Sequence, residues 1–202
     1  MSTLTAKELQ NIDPKRFQQE YLKWTEYAAY DDWWDYIEEH FKTRLANRGY
    51  EVRRIYFSIS YSQGDYAAFE GDIHVAEWML AKGYDETYPA LYLAAKDYNE
   101  YASIANRNRG WGPRVNLDGN LVGNTYPAGI FAGLEQEAWD ELVEEQLSSA
   151  GLEDEMQSDV DAECQELYTD LRDEYEHMTS EESFIESCEC NDITFEIEEC
   201  EA

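Results

Sequence analysis

Residues Ile55–Ile73 read IYFSISYSQGDYAAFEGDI, and this stretch decides how the rest of the chain can fold. Up to Tyr61, apolar residues alternate with more polar ones, which is the period-two pattern of a strand with one buried face. Gln63-Gly64-Asp65 supplies a turn, and alternation resumes at Ala67. The stretch therefore predicts a β-hairpin. A lone hairpin is marginal in water, so helices from elsewhere in the chain must cover its apolar face.

Three helices are predicted before the hairpin. A short one covers residues 6–11. A second begins at Asp13-Pro14, because an N-cap followed by proline is a helix start, and a third begins at Asp31 or Asp32 and stops before Gly49. The second helix carries an aromatic stripe, which we expect to be core packing rather than a base-stacking surface, because basic residues are not interleaved with it. The predicted inward residues are Phe17, Tyr21, Trp24, Ala28, Trp34, Ile37, Phe41 and Leu45.

After the hairpin, the periodicity predicts a short helix over residues 75–82 and a longer one over residues 88–106. Three arginines follow the longer helix and can complement its dipole or pair with the acidic part of the chain. They are Arg107, Arg109 and Arg114. Residues 115–117 and 121–122 flank the turn signal Asp118-Gly119-Asn120 and could form a second hairpin or belong to a mobile loop.

The last third of the chain is predicted to be helical. An apolar stripe at Leu134, Ala138, Leu142 and Leu147 ends at Gly151. From Val160 to Met178 apolar residues recur at steps of three and four with acidic residues between them, which indicates a long amphipathic helix. A last short helix starts at Thr179 or Ser180. Residues 193–198 alternate and predict a closing strand able to join the sheet of the hairpin.

These elements predict an α+β fold. A small antiparallel sheet is built on the 55–73 hairpin, several helices cover it, and long acidic helices follow at the C-terminal end. We expect residues 1–133 to form an α+β core and residues 134–202 to form an acidic helical region that packs back on that core. The length of 202 residues is compatible with one domain.

The charge is unevenly distributed. The chain has 45 acidic and 15 basic residues, a formal net charge of −30. Up to Leu134 there are 19 acidic and 14 basic residues, whereas the remainder has 26 acidic residues and one basic residue, Arg172. This balance argues against direct binding to nucleic acid or to an anionic membrane, and favours a basic protein as partner. Because the sequence has no signal peptide or apolar span, we expect a cytoplasmic protein.

No catalytic or cofactor motif is visible, so we expect a protein that is not an enzyme and needs no cofactor or metal. The histidines are His40, His74 and His177. None lies in a motif with a nucleophilic serine or cysteine. The cysteines, which lack zinc or redox spacing and are expected to be free thiols, are Cys164, Cys188, Cys190 and Cys200. Asp65, Glu70 and Asp72 could hold a divalent cation, although a turn that satisfies its own hydrogen bonds is the alternative.

The hairpin resembles a family of small bacteriophage proteins whose motif is F-S-G-F-[YW]-S-Q-G-D-G-A-S-F-x-G. The matching residues are Phe57, Ser58, Tyr61, Ser62, Gln63, Gly64, Asp65, Ala67, Phe69 and Gly71, while Ile59, Ser60, Tyr66 and Ala68 depart from it. Trp33-Trp34 and residues 171–180 resemble two further motifs of that family. Its members are commonly labelled antitoxins of toxin–antitoxin systems. The resemblance therefore implies a phage protein with an antitoxin-like role, and marks Ser62, Gln63, Gly64 and Asp65 as a motif loop.

The acidic face of the predicted long helix is a candidate partner-binding site. Its residues are Asp159, Glu163, Glu166, Asp170, Asp173 and Glu174. A helix of about 40 residues is about 60 Å long, and duplex DNA shows about 35 phosphate charges over that length. The net charge of −25 after Leu134 is within a factor of two of this value.

We therefore hypothesise a phage-encoded inhibitor that binds a basic, nucleic-acid-binding host or defence protein by mimicking DNA. One alternative is an antitoxin-like protein that neutralises a toxin by direct contact through its aromatic and hairpin face. Another is that the charge serves only to keep the protein in solution. The sequence does not indicate an oligomeric state.

Overall fold

The computed structural model describes residues 2–28, 32–59, 64–105, 112–117 and 119–197 and has the predicted α+β fold. The strands are β1 (Ser2–Leu4), β2 (Tyr50–Ser58), β3 (Tyr66–His74), β4 (Tyr101–Ala105), β5 (Arg114–Leu117) and β6 (Phe195–Ile197). The helices are α1 (Ala6–Ile12), α2 (Pro14–Ala28), α3 (Asp35–Ala46), α4 (Val75–Ala81), α5 (Tyr84–Thr87), α6 (Pro89–Tyr98), α7 (Gln136–Ala150), α8 (Leu152–Met178) and α9 (Glu181–Cys190).

The chain divides into two compact units. Unit 1 consists of Met1–Asp35 and Asp170–Ala202, and unit 2 of Tyr36–Thr169. The sequence assigns 20 acidic and 5 basic residues to unit 1, and 25 acidic and 10 basic residues to unit 2, so each unit has a formal net charge of −15. Of the net charge of −25 after Leu134, −13 belongs to unit 2 and −12 to unit 1, so the two units share it almost equally.

The sheet of unit 2 confirms the predicted hairpin and adds two strands to it. β2 and β3 pair antiparallel from Tyr50↔Ile73 to Ser58↔Tyr66, with a register shift between Val52 and Arg54. The strand order is β2-β3-β4-β5, and all neighbours are antiparallel. Gly71 of β3 is needed for this pairing, because a Cβ at that position would lie 2.0 Å from the carbonyl oxygen of Glu51.

Between residues 88 and 122 one prediction is wrong and one of two open alternatives is ruled out. The predicted helix over residues 88–106 ends at Tyr98, because Asn99 adopts a left-handed conformation with φ of +54° and closes α6. The residues that follow form β4, in which Ala102 and Ile104 are buried. Of the two alternatives for residues 115–122, a second hairpin or a loop, the hairpin is not formed: β5 pairs with β4, whereas residues 121–122 lie in a turn.

The helices of unit 2 bury the core residues of the sheet. In α3 the predicted inward residues Ile37, Phe41 and Leu45 are buried. In α7 the predicted stripe is wrong by one position, because Trp139 and Val143 are fully buried while Leu134 and Ala138 are exposed. Trp139 has the largest apolar side chain of that helix, so burying it removes more apolar area from water and decides the rotation of the helix.

Unit 1 has a separate core between α1, α2 and α9. It contains Ala6, Leu9, Phe17, Phe184 and Cys188, with Tyr21 and Trp24 packed against it. This confirms that the aromatic stripe of α2 is core packing. A strand forms within residues 193–198 as predicted, but β6 pairs with β1 rather than with the hairpin sheet. The reason is that Phe195 and Leu4 pack on the same unit 1 core.

Candidate functional site

The predicted partner-binding carboxylates all lie on α8, and they fall into two groups. Asp159, Glu163 and Glu166 belong to unit 2, whereas Asp170, Asp173 and Glu174 belong to unit 1. The buried face of α8 confirms the predicted apolar stripe. Its fully buried residues include Leu152, Met156, Val160, Leu167 and Leu171.

Glu163 faces inward rather than toward solvent. Its exposed fraction is 5%. Arg44 Nη2 donates a hydrogen bond of 2.8 Å to Oε2, and Arg48 Nη1 donates to Oε1. Arg44 also donates to Glu166, and this bond holds the pKa of Glu166 below its ordinary value. Since a buried carboxylate is tolerated only when it is paired, Glu163 stabilises unit 2 and is not accessible to a partner.

Asp159 is also engaged inside unit 2. Trp78 Nε1 donates a hydrogen bond of 3.0 Å to Oδ2, and Lys82 Nζ lies 2.8 Å from Oδ1. The Trp78 side chain is fully buried, so its indole N–H needs this acceptor. Asp159 is therefore a structural residue that connects α8 to α4.

The unit 1 group is more accessible. Asp170 and Asp173 are exposed, and Glu174 is half-buried. Arg172 Nη2 donates a hydrogen bond of 2.7 Å to Asp173, and Arg172 Nε lies 3.8 Å from Glu176. The single arginine of the acidic region therefore neutralises part of this group.

A row of four exposed glutamates, which we call the α7 row, was not found by sequence reasoning. Its members are Glu137, Glu141, Glu144 and Glu145. They occupy the face of α7 opposite the buried Trp139 and Val143. Among the residues that the structure describes, no cation pairs with any of them. The missed signal is Trp139: placing this residue inward puts all four glutamates on the outer face.

The α7 row is held on an ordered helix. Gln136 Nε2 donates a hydrogen bond of 2.8 Å to the carbonyl oxygen of Thr125, and Trp139 Nε1 donates one of 3.1 Å to Thr125 Oγ1. At the other end, Gln146 Oε1 accepts a hydrogen bond of 3.0 Å from the backbone N–H of Leu91. These contacts fix both the position and the rotation of α7 in unit 2.

In the motif loop, Ser62 and Gln63 lie outside the described residues, whereas Gly64 and Asp65 lie within them. Asp65 lines a cavity of about 460 Å³ together with Asp161 and Cys164. Burial raises the pKa of the Cys164 thiol to about 12. The loop is therefore next to α8.

The three carboxylates considered for a divalent cation do not converge. Glu70 and Asp72 lie on β3, where Asp72 pairs with Arg53 and Glu70 lies 4.0 Å from Arg54. Within the described part of the chain, no group of three or more His, Cys, Asp or Glu side chains is arranged to hold a metal ion. In the same part, no helix is both long and apolar enough to span a membrane.

Residues 33–181 match the model of a family described as a domain of unknown function, DUF8835, over about three quarters of the chain. The chain belongs to the DUF8835 family. The DUF8835 region contains all of unit 2, including the α7 row and the Glu163 ion pairs. Residues before 33 and after 181 lie outside the DUF8835 region and belong to unit 1. No curated protein and no solved structure matches the chain.

Proposed function

We propose that the protein is a non-enzymatic, acidic inhibitor that binds a basic, nucleic-acid-binding bacterial protein through the α7 row. The observation that carries this proposal is the row itself: four exposed carboxylates without a cation partner in the described part of the chain, on a helix with a buried opposite face. The resemblance of the hairpin to bacteriophage proteins supports a phage origin, and a phage gains from blocking a host or defence factor.

The charge spacing of the α7 row approaches that of DNA. From Glu137 to Glu145 the helix rises about 12 Å. Duplex DNA carries about seven phosphate charges over that length, so the row has about half the charge density of DNA. Exposed Glu153, Asp154 and Glu155 at the start of α8 add to the negative field of unit 2. Such a field accelerates encounter with a positively charged groove.

The internal ion pairs of unit 2 support the same surface. Arg44 and Arg48 are held by Glu163, and Lys82 is held by Asp159. Because these cations are engaged with α8, they do not neutralise the glutamates of α7.

Affinity capture from a bacterial extract tests the proposal. The variant E137Q/E141Q/E144Q removes three charges of the α7 row. The matched control E182Q/E186Q/E189Q removes three exposed charges of α9. We expect the unchanged protein and the α9 control to retain the same basic proteins, and the α7 variant to lose them.

Salt and DNA distinguish mimicry from other binding. Retention should fall steeply between about 0.05 M and about 0.3 M salt, because the contacts are exposed charges. Excess duplex DNA should displace the partner. Retention of the same partner by the α7 variant, or its resistance to DNA, would contradict the proposal.

A second candidate function is neutralisation of a toxin through apolar contact. The aromatic stripe of α2, formed by Phe17, Tyr21 and Trp24, packs inside unit 1 and is not the surface for it. A better candidate is the segment before α7, where Tyr126 is 73%, Ile130 84% and Leu134 40% exposed. Exposed apolar groups this close together mark contact sites. For this function, Y126S/I130S should abolish binding, and salt should have little effect.

A further inference from the structure

A cavity of about 280 Å³ lies between α4 and α6 of unit 2, away from the α7 row. Five polar residues line it, of which three are exposed, one is half-buried and one is buried. These are His74, Glu77, Lys96 and Asn99, with Glu100 as the buried residue. The ring of Tyr92 forms part of the apolar wall.

The cavity is bordered by an ordered backbone. The N–H of Glu100 donates a hydrogen bond of 3.0 Å to the carbonyl oxygen of Ala95, and the carbonyl oxygen of Glu100 accepts one of 3.0 Å from the N–H of Val75. The Glu100 side chain is 4% exposed, and its Oε1 accepts a bond of 3.3 Å from the N–H of Gly119. This part of the lining is therefore held in place before any ligand arrives, as is usual for small-molecule sites.

Two charges of opposite sign line this cavity without pairing. Glu77 lies on α4 and Lys96 on α6. Among the described residues neither has an ion pair, so their charged atoms are more than 4.0 Å apart. The contact recorded for the Lys96 ammonium is with the face of Tyr92, at 5.9 Å from the ring centroid. In unit 2, by contrast, Arg44, Arg48 and Lys82 are all paired with carboxylates.

We propose that this cavity binds a small zwitterion with one ammonium group and one carboxylate, of the size of a free amino acid. At about 30 Å³ per water molecule, the volume holds about nine non-hydrogen atoms. The ligand carboxylate contacts Lys96 and the Asn99 amide, and the ligand ammonium contacts Glu77 with Glu100 below it. The carbon chain packs on the Tyr92 ring.

The charge pattern excludes simpler ligands. A ligand with only a carboxylate meets Lys96 but is repelled by the charge of Glu77, which no ligand ammonium then offsets. A ligand with only an ammonium group leaves Lys96 unpaired and is repelled by it. Specificity of this kind comes from repulsion of the wrong ligand as well as attraction of the right one.

Calorimetric titration of the full chain with a panel of free amino acids tests this site. The panel is glycine, alanine, glutamate and lysine, each compared with its N-acetyl form, which lacks the α-ammonium, and with its amide, which lacks the α-carboxylate. We expect at least one free amino acid to bind with one-to-one stoichiometry and both blocked forms to bind at least about tenfold more weakly. The proposal is overturned if every panel member binds with a Kd above about 10 mM. It is also overturned if a blocked form binds as tightly as the free amino acid.

Variants locate the binding. Lys96→Met and Glu77→Gln should each weaken it by about tenfold or more. Lys7→Met and Glu153→Gln, which change exposed residues outside the cavity, should leave it unchanged. Unchanged binding in Lys96→Met would overturn the proposal. The site is independent of the α7 row, so E137Q/E141Q/E144Q should bind the amino acid normally even where partner capture fails.

Discussion

Arg44 donates a hydrogen bond of 2.8 Å to Glu163, which ties α3 to α8 across 119 residues of sequence. Arg48 donates to the other oxygen of the same carboxylate. The buried Glu163 thus has two cationic partners, one in α3 and one in the turn that follows α3. This three-residue cluster adds polar contacts to the buried apolar stripe of α8 and keeps Glu163 on the inner side of the helix.

We expect Glu163→Gln to destabilise the protein by about 1–3 kcal/mol. Removing one partner of a buried pair usually costs about 3–5 kcal/mol. The cost is lower here, because the side chains of Arg44 and Arg48 are 27% and 36% exposed and keep part of their hydration. Urea denaturation measures the effect. Glu153→Gln, at an exposed position of the same helix, should change stability by less than about 0.5 kcal/mol; equal effects of the two variants would contradict the assignment.

Asp159 offers a test that separates charge from hydrogen bonding. Asp159→Asn keeps an oxygen acceptor for the buried Trp78 N–H and loses the ion pair with Lys82, whereas Asp159→Leu loses both. The leucine variant should lose about 1–3 kcal/mol, because a buried donor is left without a partner. The asparagine variant should lose about 1 kcal/mol or less. Thermal unfolding measures both losses. If Asp159→Asn lost as much stability as Asp159→Leu, the hydrogen bond from the Trp78 indole would not be the main contribution of Asp159 to stability.

The pH dependence of unfolding reports the Arg44–Glu166 pair. The hydrogen bond from Arg44 lowers the pKa of Glu166 in the folded state below the unfolded value near 4.5. The pair therefore stabilises the protein above pH 4.5, and this contribution is lost as pH falls through the folded-state pKa. Below pH 4.5, we expect the free energy of unfolding of Glu166→Gln to fall less than that of the unchanged protein. The difference should be less than about 1 kcal/mol, because the side chain is half-exposed and solvent screens it.

A second pair of variants, made in a protein that lacks Arg44, tests whether Arg44 is the cause of the lowered Glu166 pKa. In Arg44→Met, the further change Glu166→Gln should alter the pH dependence much less, since the largest cause of the lowered pKa is missing and only the weaker effects of Arg48 and His40 remain. A difference between the two Arg44→Met proteins as large as the one in the unchanged background would show that Arg44 is not the main cause of the lowered Glu166 pKa.

Gly71→Ala should destabilise unit 2 by about 3 kcal/mol or more. The added methyl group would overlap the carbonyl oxygen of Glu51 in the paired strand, so the hairpin register must distort. Gly133→Ala is the matched control, because its added Cβ has no atom within 4 Å. Circular dichroism during guanidinium titration distinguishes the two. A Gly71→Ala protein as stable as Gly133→Ala would mean that β2 and β3 are not this close.

Cysteine alkylation tests the burial of α8. Cys164 is buried, and its pKa is raised to about 12, so at pH 8 only about one thiol in ten thousand is a reactive thiolate. Cys190 is exposed. Brief treatment with iodoacetamide followed by peptide mass mapping should label Cys190, and Cys164 only after denaturation. Equal native labelling of both would show that this face of α8 opens to solvent.

Local patterns predicted much of the fold. The hairpin, the inward residues of α3 and the apolar stripe of α8 follow from periodicity alone, because each requires only the spacing of neighbouring residues. The strand β4 was missed because the alanines of Tyr101–Ala105 continue the apparent helical face, and only the left-handed Asn99 ends it. A single residue with positive φ thus changed one helix into a helix and a strand.

The candidate site was harder to predict, because partners that are distant in sequence decide which of its acidic residues are buried and which are exposed. Glu163 is three residues after the buried Val160, at the edge of the apolar stripe, and nothing nearby marks it as inward. Its partners are 119 and 115 residues away. The α7 row was missed for a related reason: the stripe was placed one residue from Trp139, which turned the helix away from its true orientation.

The pairing of β1 with β6 has a consequence for biosynthesis. Leu4 leaves the ribosome long before its partner Phe195, because nearly the whole described chain lies between them. At about 5–20 residues per second, translation separates them by about 10–40 s. Unit 2 can fold during that interval, while Phe17 has no Phe184 to cover it. For those seconds, the nascent chain presents the aromatic side chains of α2 to any chaperone near the ribosomal exit tunnel.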